Sequence, residues 1–303
     1  TRVRSSAASD VYKRQICSMH GKEIVNLAEI IRTEKKTFLL MSGVKDVRRL
    51  GQMLSEAGLN DCVVVAGYQL SYPEQKIREL SPEECRTLEQ EGLYICLIKN
   101  PRAAAGYAVH GMADAEFIRG KVPMTKAEVR EVSICKMRLR TDSVLYDIGG
   151  GTGSVSIEAA GLSENITVYT IEQKEEAFAL IEENKKKSGL ENIKVIRGAA
   201  PEAMQDLPMP THAFIGGSGG KLKEILNVLY QKNPKMRVVI NAISLETISE
   251  LNMILEEYPV QNEEIIQMQI NRTKKAGKYH LMQAENPVWI CSFAFGEERE
   301  NED

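Results

Sequence analysis

Short apolar runs bounded by glycine, proline or polar clusters recur along this chain, and between them apolar positions return at helical spacing. Thr37-Phe38-Leu39-Leu40-Met41 reads as a buried strand. Residues 46–57 read as a helix with Val47, Leu50 and Leu54 on one face and Gly58 as its stop. Cys62-Val63-Val64-Val65-Ala66 is a second strand, and 93–98 a third. Between them, 82–90 predicts a helix with Ser81 as N-cap and Pro82 in its first position. These elements predict a small α/β subdomain. The pattern then breaks at Pro101, a run of alanines, Gly106 and Gly111, so 101–118 is expected to be a linker. Thr125-Lys126-Ala127-Glu128 spells a capping box, with Thr125 as N-cap of a helix carrying Val129, Val132 and Met137.

After that helix the alternation becomes regular. Ser143-Val144-Leu145-Tyr146 reads as a strand and Val155-Ser156-Ile157-Glu158-Ala159-Ala160 as a helix, with a glycine loop between them. Further strand-like runs lie at 166–171, 193–197, 212–216, 237–243 and 264–270, with helical runs between the first four. A last strand at 288–295 follows 264–270 through a loop without a helix. This order predicts a Rossmann-like doubly wound sheet ending in a hairpin with an antiparallel last strand. Ligand belongs at the carboxyl ends of such parallel strands.

The chain of 303 residues is long enough for roughly two domains. With 43% hydrophobic and 27% charged residues it has the composition of a globular protein. A net charge of −3 argues against a nucleic-acid-coating protein. No apolar run reaches the roughly 20 residues of a membrane span, and no signal peptide is seen. The expectation is a cytoplasmic protein without nucleic-acid or membrane partner, and a homo-oligomer. Cys17, Cys62, Cys85, Cys96, Cys135 and Cys291 form no C-x-x-C pair, so they are expected to be reduced apolar residues and no metal site is expected. Residues 1–15 have no starting Met and no periodicity, resemble adapter-derived sequence, and are expected to be a non-native tail.

The candidate chemistry centres on Asp147-Ile148-Gly149-Gly150-Gly151-Thr152-Gly153. Glycines let a backbone turn tightly and approach a ligand without a Cβ in the way. The helix that follows offers free N–H groups. Glu172 closes the next strand-like run, where a carboxylate can accept the hydroxyls of a ribose. Ser154 stands where a dinucleotide-binding G-x-G-x-x-G would need its third glycine. The spacing D-x-G-x-G-x-G resembles motif I of class I S-adenosylmethionine (SAM) methyltransferases. Ala199 stands where that superfamily often places an adenine-binding Asp. Ile215-Gly216-Gly217-Ser218-Gly219-Gly220 replaces the Asn/Asp-Pro-Pro-aromatic tetrapeptide of amino-methylating enzymes and suits a broad substrate.

Several segments in order sharpen the resemblance: Gly120-Lys121-Val122-Pro123-Met124-Thr125-Lys126 with Glu128-Val129-Arg130, the glycine loop and its helix, Gly198-Ala199-Ala200-Pro201-Glu202-Ala203, the 215–220 turn, Asn241-Ala242 and Asn286-Pro287-Val288. Together, over 112–296, they resemble the CbiT family, the decarboxylating C15-methyltransferases of cobalamin biosynthesis. Upstream, Ser18-Met19-His20-Gly21 and Gly67-Tyr68-Gln69-Leu70-Ser71-Tyr72-Pro73-Glu74-Gln75-Lys76-Ile77 resemble the closing portion of CbiE, a C5-methyltransferase. Members usually have Glu-Arg where this chain has Gln75-Lys76. The two are fused in that order in CobL-type C5,15-methyltransferases. The resemblance implies a class I methyltransferase domain at 119–303, half of a CbiE-like tetrapyrrole methylase at 16–100 incapable of C5 methylation alone, and SAM as methyl donor. It implies SAM contacts at Thr125, Gly149, Gly150, Gly151, Thr152, Gly153, Glu172 and Ala200, and a corrin precursor as substrate.

No general acid or base stands out among His20, His110, His212 and His280. Candidate substrate contacts are Lys121, Gly217, Ser218 and Gly219, with a basic loop of Arg272, Lys274, Lys275 and Lys278 that can steer a polycarboxylate. The same loop reads equally as a solvated turn. Two other functions stay open: a SAM methyltransferase for another small molecule or RNA, and a non-catalytic SAM-binding subunit.

Overall fold

The structure of the protein is a computed structural model that describes residues 26–103 and 111–296 in full and the backbone of Gln15–Ser18. The expected tail lies outside the described residues apart from Gln15, as do Met19, His20, Gly21 and His110. The described residues fall into two compact units: residues up to 103 with Lys185–Glu191, and residues 111–184 with 192–296.

The first unit runs β1 (Gln15–Ser18), α1 (Leu27–Thr33), β2 (Lys36–Met41), α2 (Val44–Glu56), β3 (Val63–Tyr68), β4 (Lys76–Leu80), α3 (Pro82–Arg86) and β5 (Tyr94–Lys99). Its sheet has the order β1-β2-β5-β3-β4. Only β1 and β2 pair in parallel; the other neighbours are antiparallel. Val47, Leu50 and Leu54 of α2 are buried against the sheet, as their spacing predicts. A Cβ on Gly51 would lie 2.4 Å from the Pro82 carbonyl oxygen, so glycine lets α2 and α3 cross closely. Ser81 caps α3, accepting from the Glu84 amide at 3.2 Å while Glu84 accepts from the Ser81 amide at 2.7 Å. The β4 strand has no apolar alternation because it is an edge strand whose residues before Leu80 all face solvent.

The second unit runs α4 (Ala127–Met137), β6 (Val144–Ile148), α5 (Ser154–Gly161), β7 (Thr167–Glu172), α6 (Glu175–Ser188), β8 (Ile193–Arg197), β9 (His212–Ile215), α7 (Leu222–Lys232), β10 (Arg237–Ala242), α8 (Leu245–Leu255), β11 (Val260–Met268), β12 (Asn271–Ala276), β13 (Tyr279–Ala284) and β14 (Val288–Phe295). Its seven-stranded sheet has the order β11-β14-β10-β9-β6-β7-β8. Strands β6 to β10 pair in parallel, and β14 is antiparallel to both β10 and β11. This is the doubly wound sheet with antiparallel last strand that the sequence predicts. The order reverses between β6 and β9, so the loops leaving those strands lie side by side, where such sheets bind ligands.

Three expectations need correction. Residues 271–287 are not a loop: β12 and β13 form a separate two-stranded ribbon. Thr125 is not an N-cap: Lys126 holds that position, without a side-chain cap bond. The Asp114 carboxylate instead accepts from the Ala127 amide at 3.0 Å, while the Thr125 carbonyl accepts from Arg130 at 2.7 Å. Of the expected linker, 111–118 is bonded into the second unit. The Gly111 amide donates to Glu158 at 2.7 Å, and Ile118 exchanges hydrogen bonds with the Asn184 side chain at 2.7 and 3.0 Å.

Arg130 is the reason this strap stays down. It is fully buried on α4, donates to the buried Glu158 carboxylate of α5, to Asp114 and to the carbonyls of Met112 and Thr125, and lies 4.8 Å from the Phe117 ring. A guanidinium fork can serve that many acceptors at once; an ammonium cannot. Arg130→Met should therefore strand Glu158 as an unpaired buried charge and cost about 3–5 kcal/mol in urea unfolding. Adding Glu158→Leu should recover most of the loss. A single-variant loss below about 1 kcal/mol, the range of exposed pairs, would contradict this reading.

Candidate functional site

The glycine loop leaves β6 and enters α5 with Gly149, Gly151 and Gly153 at φ 74°, 58° and 78°. Side chains rarely adopt that left-handed region. The loop is tied to β7 by its own amides: Gly149 and Gly150 both donate to the Ile171 carbonyl, at 3.0 and 3.3 Å. A Cβ on Gly149 would sit 2.7 Å from the Gly217 carbonyl oxygen, and one on Gly151 would sit 2.8 Å from that of Pro123. The glycines thus let the turn after β9 and the strap at 122–123 close in on the loop. A Cβ on Gly217 or Gly220 would meet nothing within 4 Å among the described residues, so at these two positions the 216–220 turn borders open space, while one on Gly216 would lie 3.2 Å from the Phe214 ring.

Glu172 ends β7 with its carboxylate held between two segments. One oxygen accepts from the Gly151 amide at 3.1 Å and the other from the Lys174 amide at 2.8 Å. Each oxygen keeps acceptor capacity for a further hydroxyl. Asp147, buried at the end of β6, accepts from Ser156 through one oxygen, while its other oxygen has no partner among the described residues. Burial pushes Asp147 up to about 6, against the lowering effect of the Ser156 hydrogen bond.

The expected SAM contacts come together in part. Gly149 to Gly153 and Glu172 form one bonded loop, and the half-buried Thr125 sits on the strap two residues past Pro123. Thr152 is buried, with its hydroxyl unpartnered among the described residues and its carbonyl accepting from Asn184 at 3.0 Å. Ala200 is half-buried in the turn after β8. Lys121 is exposed on the strap, Ser218 is half-buried, and Gly219 lies near Gln173. Arg272 is no free rim cation: its fork binds both Glu128 oxygens, at 2.8 and 2.5 Å, and it also donates to Glu285 at 2.7 Å. Lys274, Lys275 and Lys278 are exposed on the ribbon. His212 is buried, bonded to Thr211 at 2.8 Å and pushed down to about 4 by burial, so it is neutral; His280 is exposed on the ribbon. Asn184 and Asp114, which hold the strap with Arg130, gave no sequence signal beyond ordinary helix and loop residues; Arg130 stood in the Glu128-Val129-Arg130 segment of the resemblance, but its burial carried no signal.

These residues fit SAM. The loop is a cradle that a Cβ would fill, the Glu172 carboxylate is poised for a diol, and Asp147 keeps an unpartnered buried oxygen beneath the loop. Two outcomes follow. Gly151→Val puts a branched side chain into the Pro123 carbonyl at a left-handed backbone position, so a folded variant should lose SAM binding in calorimetry; unchanged affinity would contradict the site. Asp147 is pushed up from 3.8 to about 6 in the folded chain. Its contribution is therefore fully present below the unfolded value and is lost as pH rises through about 6, so stability falls over that window. The fall should approach about 3 kcal/mol and vanish in Asp147→Asn, read from urea midpoints. Parallel pH profiles for the two proteins would contradict it.

Comparison with known proteins agrees with this fold. The family described as "Precorrin methyltransferase domain" matches residues 116–294. A Pyrobaculum calidifontis protein named "Probable cobalt-precorrin-6B C(15)-methyltransferase (decarboxylating)" is 39% identical over 189 residues, which are 61% of this chain and 96% of that protein. The structure of precorrin-6y C5,15-methyltransferase from Geobacter metallireducens GS-15 aligns with a TM-score of 0.58 and 37% identity, over 63% of this chain and 100% of that one. That of precorrin 8W decarboxylase from Methanobacterium thermoautotrophicum aligns with 0.55 and 34%, over 61% and 99%. With a class I SAM-methyltransferase fold and a matched segment that contains the glycine loop and Glu172, the chain belongs to the precorrin methyltransferase family.

Proposed function

We propose that the chain methylates C15 of a corrin precursor and releases carbon dioxide from its C12 acetate, with SAM as methyl donor. The observation that carries this reading is the bonded loop of Gly149 to Gly153 with Glu172, beside a glycine turn at 216–220 that borders open space at Gly217 and Gly220. In that reading Glu172 would hold the ribose hydroxyls, the Gly149–Gly153 backbone would pass under the methionine portion, and Thr125 and Ala200 would line the rest. When bound, SAM supplies a methyl group already activated by its sulfonium.

The protein's own task is then alignment, which needs a rigid site rather than a strong base. In this reading neither His212, buried and neutral, nor His280, on the ribbon, is given a proton-transfer role. The bare glycines after β9 would leave room for a broad macrocycle whose conjugated system takes up the electron pair of the broken bond as carbon dioxide leaves the acetate, whose remaining carbon stays on the ring and takes a proton. In this reading Lys121 and Ser218 would meet the macrocycle's periphery, and the ribbon lysines would steer its carboxylates.

The same reading assigns residues 16–100 to the closing half of a CbiE-like C5-methyltransferase, fused as in CobL-type enzymes to residues 119–303 as the C15 domain. It also places the protein in the cytoplasm as a homo-oligomer, without nucleic-acid or membrane partners. The Gly67–Ile77 segment supports the fusion: it forms the end of β3, the following turn and the start of β4 in the first unit's sheet.

Incubation of the full chain with a corrin precursor and methyl-labelled SAM tests the activity. Carbon NMR should show label at C15 and loss of the C12 carboxyl, in equal amounts. SAM binding without transfer to either a cobalt-containing or a metal-free precursor would overturn the proposal.

A further inference from the structure

The β12–β13 ribbon is exposed along its whole length. A two-stranded ribbon alone is marginally stable in water, so its position must be fixed from outside. Arg272 does this: its planar fork grips Glu128 in the first turn of α4 and Glu285 just beyond β13. Glu128 stands three residues after Thr125, and the strap before it rests on Gly151 through Pro123. The ribbon is therefore anchored beside the proposed methyl-donor site.

Its pairing register decides which side chains share the anchored face. Directly opposite residues in an antiparallel pair project to the same side, and the side alternates along each strand. Arg272 stands opposite Gln283, Lys274 opposite Leu281, and Ala276 opposite Tyr279, and all of these share Arg272's face. Thr273 with Met282 and Lys275 with His280 project the other way. Because Arg272 reaches Glu128, its face is the one turned toward the start of α4. That face carries Tyr279 and Leu281, 62% and 57% exposed, with Lys274 directly across from Leu281.

We propose that this face, through Lys274, Tyr279 and Leu281, is the wall that holds the macrocycle over the donor site, while the Thr273–Met282 face takes no part. The proposal rests on the function proposed above and deepens it. A flat conjugated ring with carboxylate arms presents an apolar plane to Tyr279 and Leu281, and Lys274 meets a carboxylate at its edge. The basic cluster seen in the sequence thereby divides into an anchor, Arg272, a holding residue, Lys274, a peripheral charge, Lys275, and Lys278, whose ammonium lies 5.4 Å from the Tyr279 ring centroid.

The test compares two variants of the full chain: Lys274→Gln with Tyr279→Ala and Leu281→Ala, and Thr273→Ala with Met282→Ala. KM and kcat for the corrin precursor, SAM affinity by calorimetry, and mass in solution are measured for each. The anchored-face variant should raise KM by about tenfold or more, as loss of aromatic and aliphatic anchors does, with SAM affinity and mass unchanged. The opposite-face variant should stay within about twofold of the native chain. An unchanged KM in the anchored-face variant would overturn the proposal. So would an equal effect from both faces, or a KM rise that accompanies a fall in mass, which would assign the face to contacts between copies. If the native chain turns over no corrin precursor, the function proposed above fails; if it does and the anchored-face KM is unmoved, only the ribbon's role fails.

Discussion

One buried guanidinium holds the second unit's entry segment in place. Arg130 has no solvent to fall back on, so each of its donors must find a protein acceptor, and it finds them in Glu158, Asp114, Met112 and Thr125. Those acceptors lie on α5 and along the strap that leads into α4. Satisfying Arg130 therefore sets the strap's path, and the path sets where the Pro123 carbonyl meets Gly151. Asn184 repeats the device from α6, bonding Ile118 on the strap and Thr152 in the loop. The ordered position of the loop is thus a consequence of polar satisfaction in the core.

The site follows from the same economy. A loop with alternating left-handed glycines has little conformational preference of its own, so its shape has to be imposed. Hydrogen bonds from Gly149 and Gly150 to Ile171 and from Gly151 to Glu172 impose it from β7. Glu172 gains fixed orientation from the same contacts. A carboxylate already oriented loses little freedom when it accepts a ligand's hydroxyls, which is the physical content of preorganisation.

Much of this was legible in the residues. Strong apolar runs marked the parallel strands because both faces of those strands are covered, and the glycine loop and Glu172 stood out by their spacing. What stayed hidden was polar. The β4 and β12–β13 strands carry exposed side chains on both faces, so they lack the alternation that reveals a half-buried strand. Thr125 has the sequence of a helix cap, yet Asp114 supplies the cap from a position no local rule reaches, and Glu128 turns to Arg272 across 144 residues. Arg130 stood out only within the Glu128-Val129-Arg130 segment of the resemblance, and nothing in its neighbours announces its burial. Long-range pairing of charges is the part of a fold that periodicity cannot encode.

The central claim is that Glu172 couples the glycine loop to the methyl donor. Glu172→Gln keeps the shape but replaces one acceptor oxygen with a donor, which then faces a backbone N–H and can no longer take a hydroxyl. Titration of SAM into this variant by calorimetry is the most direct measurement. The account predicts weakening by about 1.5–3 kcal/mol, the range for hydrogen bonds to a charged group. An affinity equal to that of the native chain would contradict it.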